Sequence, residues 1–194
     1  MSKLTRDDLM SLEKYSEVRD EFRRNIMAHK KNRIVGLGPH MTLHFEDRTV
    51  MHYQIQEMLR AEKIFDSEGI QEELDAYNPL IPDGTNFKAT CMIEYEDPAE
   101  RSEALKKMLG IEDKIWVKVD GYDKVNPIAD EDLERATEDK TSSVHFLRFE
   151  LSQDMIDAAK QGAAISIGVD HPAYDYSVDA LNESVRNSLV SDLV

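Results

Sequence analysis

Two periodicities divide this chain. Segments with apolar residues every three or four positions predict helices, and segments that alternate apolar with polar predict strands. Residues 5 to 31 follow the helical spacing through Leu12, Tyr15, Val18, Phe22 and Ile26, starting near Thr5 as a cap, as one helical arm or two short helices. Arg33 to Leu37 and His40 to Phe45 then read as strands joined tightly at Gly38-Pro39, an antiparallel hairpin. Residues 46 to 63 are strongly helical and 67 to 77 form a shorter helix stopped by Asn78-Pro79. Phe87 to Glu96 alternates, with Phe87, Ala89, Cys91, Ile93 and Tyr95 on one face.

Asp97-Pro98 with Glu100 marks a helix start and Gly110 its end, followed by a strand at Ile115 to Val119. Asp120 to Ser142 is acidic and lacks sustained periodicity beyond a possible helical turn around Glu131 to Ala136, so it reads as a long functional loop or covering arm, the most mobile element expected. Ser143 to Leu151 resumes the sheet. A capped helix over Gln153 to Gln161 leads to a strand at Ala164 to Asp170, whose second face, Ala164, Ser166 and Gly168, is small enough for another backbone or helix to approach. Asp170-His171-Pro172 then forms a polar turn followed by Tyr174 and Tyr176. A last amphipathic helix starts at Ser177 or Asp179 and runs through Leu181, Val185 and Leu189, with a fraying tail from Val190 to Val194. The runs of strands and helices do not alternate strictly. They predict a single α+β domain over residues 1–194, with a predominantly antiparallel sheet of about five or six strands and helices packed on it.

The segment 46 to 63 is the least ordinary helix. Met51, Ile55, Met58 and Leu59 form one stripe, and Val50 and Ala61 widen it to about half the circumference, more than a surface helix needs. Gln54 and Glu62 project into that arc, Glu57 sits at its edge with Arg60 beside it, and Arg48 enters from the first turn. Buried carboxylates must be paired, hydrogen-bonded or protonated. Two readings follow: a structural polar network, or a ligand site in which a carboxylate acts as base and arginine fixes an anionic substrate, with His145 or His171 completing it.

Elsewhere the chemistry is sparse. His44 and Glu46 at i, i+2 with His40 nearby could hold a divalent metal, a spacing any polar strand face offers. His145 lies on an apolar strand face, as a hydrogen-bonded core residue or as a base. Asp170 and His171 beside two tyrosines make a possible site corner. Gly36-Leu37-Gly38 enters a strand and lacks the third glycine of a nucleotide loop. The single cysteine, Cys91, points to the core and excludes an intrachain disulfide. Cofactor and oligomeric state both stay open.

The net charge of −15 repels phosphate backbones and anionic lipid, against nucleic-acid or membrane partners. With no apolar run long enough to span a bilayer and no signal-like start, a cytoplasmic location is expected. Within this acidic chain Arg23, Arg24, Lys30, Lys31 and Arg33 concentrate positive charge. They either complement a helix C-terminus or form a docking patch for an acidic partner.

The runs FEDRTVMHYQIQEMLRAEKIF, KTSSVHFLRFEL and GVDHPAY resemble a bacterial family of about this length catalogued as a domain of unknown function, over most of the chain. Glu46, Arg48, Gln54, Glu57, Arg60 and Glu62 fit its helix motif, and Asp47 departs from an asparagine expected there. Such proteins are commonly encoded beside rubrerythrin and an iron-sulfur oxidoreductase. The resemblance therefore implies an accessory role in redox or oxidative-stress handling, through binding a partner of that type.

Overall fold

The hairpin at Gly38 begins the sheet. Strands β1 (Ile34–Leu37) and β2 (Met41–Phe45) pair antiparallel with Ile34 opposite His44, and Gly38 supplies the positive φ of +69° that their turn needs. A computed structural model describes residues 2–133, 135–137 and 139–194. The remaining strands are β3 (Asn86–Ile93), β4 (Ile115–Val119), β5 (Ile128–Ala129), β6 (Val144–Glu150), β7 (Ile165–His171) and β8 (Tyr174–Val178). Helices are α1 (Leu12–Lys30), α2 (Arg48–Glu62), α3 (Ser67–Tyr77), α4 (Pro98–Lys107), α5 (Gln153–Lys160) and α6 (Glu183–Val190).

Every named strand pairing is antiparallel, as the patterning predicts. The strands divide between two sheets, a five-stranded one in the order β1-β2-β3-β6-β5 and a three-stranded one in the order β4-β7-β8. One core joins them. It takes Leu43, Phe45, Phe87, Cys91, Leu147 and Phe149 from the first sheet, Ile115, Val117, Ile165 and Ile167 from the second, and the inward sides of α4, α5 and α6. Each fully buried aliphatic side chain here contributes about 1.5–3 kcal/mol. A second, smaller core forms where α2 packs between α1 and α3, around Leu4, Met51, Ile55, Leu59, Leu74 and Ile81.

Three local expectations need correction. The polar turn after His171 is a β-hairpin: β7 and β8 are joined by Pro172-Ala173, a two-residue loop without the Asn or Gly that usually announces one. The last helix begins later than expected, at Glu183, where the Asn182 side chain accepts the Val185 N–H at 3.0 Å. Its tail does not fray. Leu193 is buried, Asp192 is 2% exposed, and the Val194 N–H donates to Gly84 O at 3.0 Å. On the small face of β7 the Ser166 hydroxyl donates to the backbone Asp179 O at 2.6 Å, and the Trp116 indole lies over Gly168, where a Cβ would stand 2.3 Å from Cζ2.

The acidic segment 120–142 is more regular than a loop. Val125 bridges to Val117, and β5 extends the large sheet along β6. The helical turn expected around Glu131 to Ala136 includes Glu134, outside the described residues, and the described residues of that stretch form no helix.

Candidate functional site

The polar groups of α2 do not converge on one another. Glu57 pairs with α1: Arg19 donates through Nε and Nη2 to its two carboxylate oxygens at 2.7 and 2.8 Å, and the Tyr15 hydroxyl donates to Oε1 at 2.6 Å. The Arg19 hydrogen bonds hold the Glu57 carboxyl at about 2. Arg48 reaches the N-terminal segment, with Ser2 O at 3.2 Å and Asp8 at 2.5 Å. Gln54 is half-buried, and Arg60 and Glu62 are exposed. The buried amide is Gln56, which accepts the Met10 N–H at 2.6 Å and donates to Met10 O at 3.3 Å.

Below the N-terminus of α2 lies a buried ionic hub. Asp47 caps the helix by accepting the Val50 N–H at 2.7 Å, and its other oxygen meets His29 Nε2 at 2.5 Å and Arg33 Nη1 at 3.3 Å. Arg33 is not part of the surface charge run. It is 1% exposed and donates to Phe45 O, Glu46 O and Ser188 O while pairing with Asp192 of the tail. Burial pushes the Asp192 carboxyl up to about 6 despite that arginine. The aspartate at position 47 thus keeps the capping role an asparagine would serve and adds an ion pair with Arg33.

Beside the hub, Glu46 points to the outer face of the large sheet. It is 8% exposed; Oε1 accepts the Thr90 hydroxyl at 2.7 Å and Oε2 has no partner among the described residues. Burial raises its carboxyl and lowers the neighbouring His44 imidazole, and Lys30 adds to the lowering of His44. His44 and Thr90 are cross-strand partners, so imidazole, hydroxyl and carboxyl form one short row. His40 does not join them. Its ring stacks on Tyr95 at 3.8 Å and Nδ1 lies 3.0 Å from Glu94 O. Among the described residues no group of three or more His, Cys, Asp or Glu side chains is placed to hold a metal ion.

His145 faces the core opposite Cys91, with Nδ1 2.6 Å from Asp130 and Nε2 near Ser142 O at 3.1 Å and Thr141 Oγ1 at 2.9 Å. Burial pushes the Cys91 thiol up to about 12, which removes it as a nucleophile. Asp170 accepts from Trp116 Nε1 at 2.8 Å and Lys124 Nζ at 2.6 Å. His171 accepts the Ala173 N–H at Nδ1, so Nε2 carries the proton toward Leu109 O at 3.2 Å. These groups brace turns and the 120–142 segment, and among the described residues no hydrogen bond or ion pair joins them to α2.

The concavity suited to a ligand lies elsewhere on the same outer sheet face. A cleft of about 450 Å³ opens between the C-terminal end of α3 and strands β3 and β6, with Tyr77, Pro79 and Leu80 on one side and Phe146, Lys88 and Arg148 below. Lys88 Nζ donates to Pro79 O at 2.5 Å and is lowered by burial. Arg148 forks onto Glu131 at 2.8 and 2.8 Å and reaches Glu150 at 2.5 Å. Sequence reading passes over this cleft. Its one available signal is Phe146, an aromatic on the outward, otherwise mixed face of SVHFLRFE.

Fold and site thus define an α+β domain of two antiparallel sheets with helices packed on them, in which Glu57, His145, Asp170 and His171 are hydrogen-bonded to neighbours while Arg60 and Glu62 are exposed. The chain belongs to the family described as "Protein of unknown function (DUF3501)", matched over residues 3–193. It is similar to a solved structure from Burkholderia pseudomallei K96243, described as a novel protein of unknown function, with 52% identity, full coverage of both chains and a TM-score of 0.94. No curated protein matches the chain. No helix among the described residues is long and apolar enough to cross a membrane.

Proposed function

We propose that the protein is an accessory binding protein without a catalytic centre of its own, and that the cleft over β3 and β6 receives an apolar group of its partner. One observation carries this reading. Glu57, Asp170, His145 and His171 are each engaged by neighbours, whereas the cleft offers Phe146, Tyr77 and Leu80 with charged groups at its edge. The class of partner, rubrerythrin or an iron-sulfur oxidoreductase, rests on the family resemblance and its gene neighbourhood.

Ala76 lines the cleft from the exposed side of α3, so Ala76→Trp fills it without touching the core. Purified protein is expected to bind one of those two partners from its own genome in calorimetry, and Ala76→Trp to abolish the heat. Silence with both partners sinks the redox assignment; binding that Ala76→Trp leaves intact removes the cleft.

A second reading, a small-molecule enzyme, draws support from the unpartnered oxygen of Glu46 beside Thr90 and His44. A buried carboxyl and a neutral imidazole with pKa values displaced in opposite directions suit acid and base work. Metal at full stoichiometry in chelator-free protein, lost in Glu46→Gln, would support its metal-dependent form. Substoichiometric metal counts against that form.

A further inference from the structure

The outward side of α1 has a composition its packing does not require. Tyr15, Ile26 and the half-buried Phe22 turn inward. Opposite them Asp20, Arg23, Arg24, Met27, Ala28 and Lys31 recur at three- and four-residue intervals along one stripe, and their side chains enclose a shallow groove of about 460 Å³. Met27 is 38% exposed. Asp20 and Glu21 stand one turn before the arginines, yet no ion pair forms between them, and Arg23, Arg24 and Lys31 have no carboxylate partner among the described residues. Macrodipole compensation explains cations in the last turn of a helix; Arg23 and Arg24 lie about two turns from the end, beyond its reach.

We propose that this stripe is a docking surface for an acidic protein segment, with carboxylates meeting Arg23, Arg24 and Lys31 and an apolar side chain seated on Met27. Charge complementarity selects that occupant. The whole chain carries −15, so removing these three cations leaves −18 on the remainder, and three cations without carboxylate partners on one stripe favour an approaching anion there. A second copy brings its own −15 and is repelled. Nucleic acid and anionic bilayers present continuous negative charge that would overlap the acidic surroundings of so small a patch, whereas a protein segment confines its carboxylates to the patch itself. This surface is separate from the cleft over β3 and β6, and the inference stands whether or not that cleft binds anything.

The probe is a ten-residue glutamate peptide with one central leucine, titrated into isotope-labelled full-length protein while amide shifts are followed. Shifts are expected to cluster on residues 20 to 31. Binding is expected to weaken about tenfold or more in Arg23→Glu/Arg24→Glu/Lys31→Glu and in the milder Arg23→Gln/Arg24→Gln/Lys31→Gln, while Lys106→Glu/Lys107→Glu on α4 leaves it unchanged. All these side chains are solvent-facing, and an unchanged melting temperature shows that the variants fold. Absence of shifts, or shifts elsewhere on the surface, overturns the proposal. So does tighter binding at these residues by a thymidine 20-mer or by vesicles of one part phosphatidylglycerol to three of phosphatidylcholine.

Discussion

Glu57 on α2 and Arg19 on α1 form a two-pronged ion pair at 2.7 and 2.8 Å, and this pair, with Tyr15 as third member, joins the N-terminal helix to α2. The sequence leaves Arg60, Arg48 or a basic group from another element as partners for Glu57, and the structure supplies the third. The cross-helix partner wins because the guanidinium of Arg19 matches both carboxylate oxygens at once, while Arg60 lies out in solvent.

The pair makes stability depend on pH in a defined direction. The Glu57 carboxyl sits at about 2 when folded against an ordinary value of 4.5, so its stabilisation is fully present above pH 4.5 and lost as pH falls toward 2. Glu57 is 22% exposed, which tempers the full linkage figure. Glu57→Gln is therefore expected to cost about 2 kcal/mol at pH 7 and almost nothing near pH 2. Urea unfolding at the two pH values checks this; an equal loss at both would mean that packing, not charge, is involved.

Asp192 behaves in the opposite sense. Its folded pKa of about 6 lies above the ordinary 3.8, so its contribution is greatest below pH 4 and declines as pH rises through 6. Asn keeps an acceptor for Arg33, and Asp47 still neutralises the guanidinium. Asp192→Asn is thus expected to match or exceed the parent by about 1 kcal/mol at pH 8 and to flatten the slope between pH 4 and 6. Asp192→Ala removes the acceptor and is expected to cost about 2–3 kcal/mol. Thermal melts across that range distinguish the two.

Trp116 and Gly168 offer a test with its own optical signal, since the chain has one tryptophan. The indole occupies the space above the glycine, is held by Asp170 and carries Lys124 over its ring at 4.0 Å. A methyl group at position 168 has no room, so the ring must leave. Gly168→Ala is expected to lower stability by about 2–4 kcal/mol and to shift tryptophan emission to the red. Unchanged emission would mean that the backbone yields instead.

What could be read in advance follows the range of the forces involved. The strand Phe87 to Ile93 and the helix from Pro98 announce themselves through alternation, a cap and a proline, all local, and α2 was legible as a deeply buried helix for the same reason. Arg33 could not be read from its neighbours. Its burial depends on Asp192, far along the chain, so it passes for one more surface cation. Leu193 likewise reads as frayed until the core that takes it is known. At the candidate site the same limit applies: Glu46 was singled out for its spacing to His44, but Thr90, which orders it, comes from another strand. The cleft at Phe146 arises only when α3 is laid over two paired strands.

The 120–142 segment provides the last test, because several of its contacts meet at one side chain. Asp130 holds a φ of +49°, accepts the Phe146 N–H at 2.9 Å, meets His145 Nδ1 at 2.6 Å and pairs with Arg135 at 3.3 Å. One side chain therefore pins the arm to β6 and to the core histidine together. Asn tolerates a left-handed backbone and keeps the bond to Phe146, while Ala does neither. Amide exchange over residues 120–142 is expected to speed up modestly in Asp130→Asn and about a hundredfold in Asp130→Ala, as a local opening cost near 3 kcal/mol disappears. The arm borders the cleft through Glu131 and Asp132, so any ligand held there should slow exchange in the same segment. If Asp130→Ala leaves exchange unchanged, the arm is held by its other contacts, β5 pairing, the Val125 bridge and the Arg148–Glu131 fork, and the proposed role of Asp130 falls.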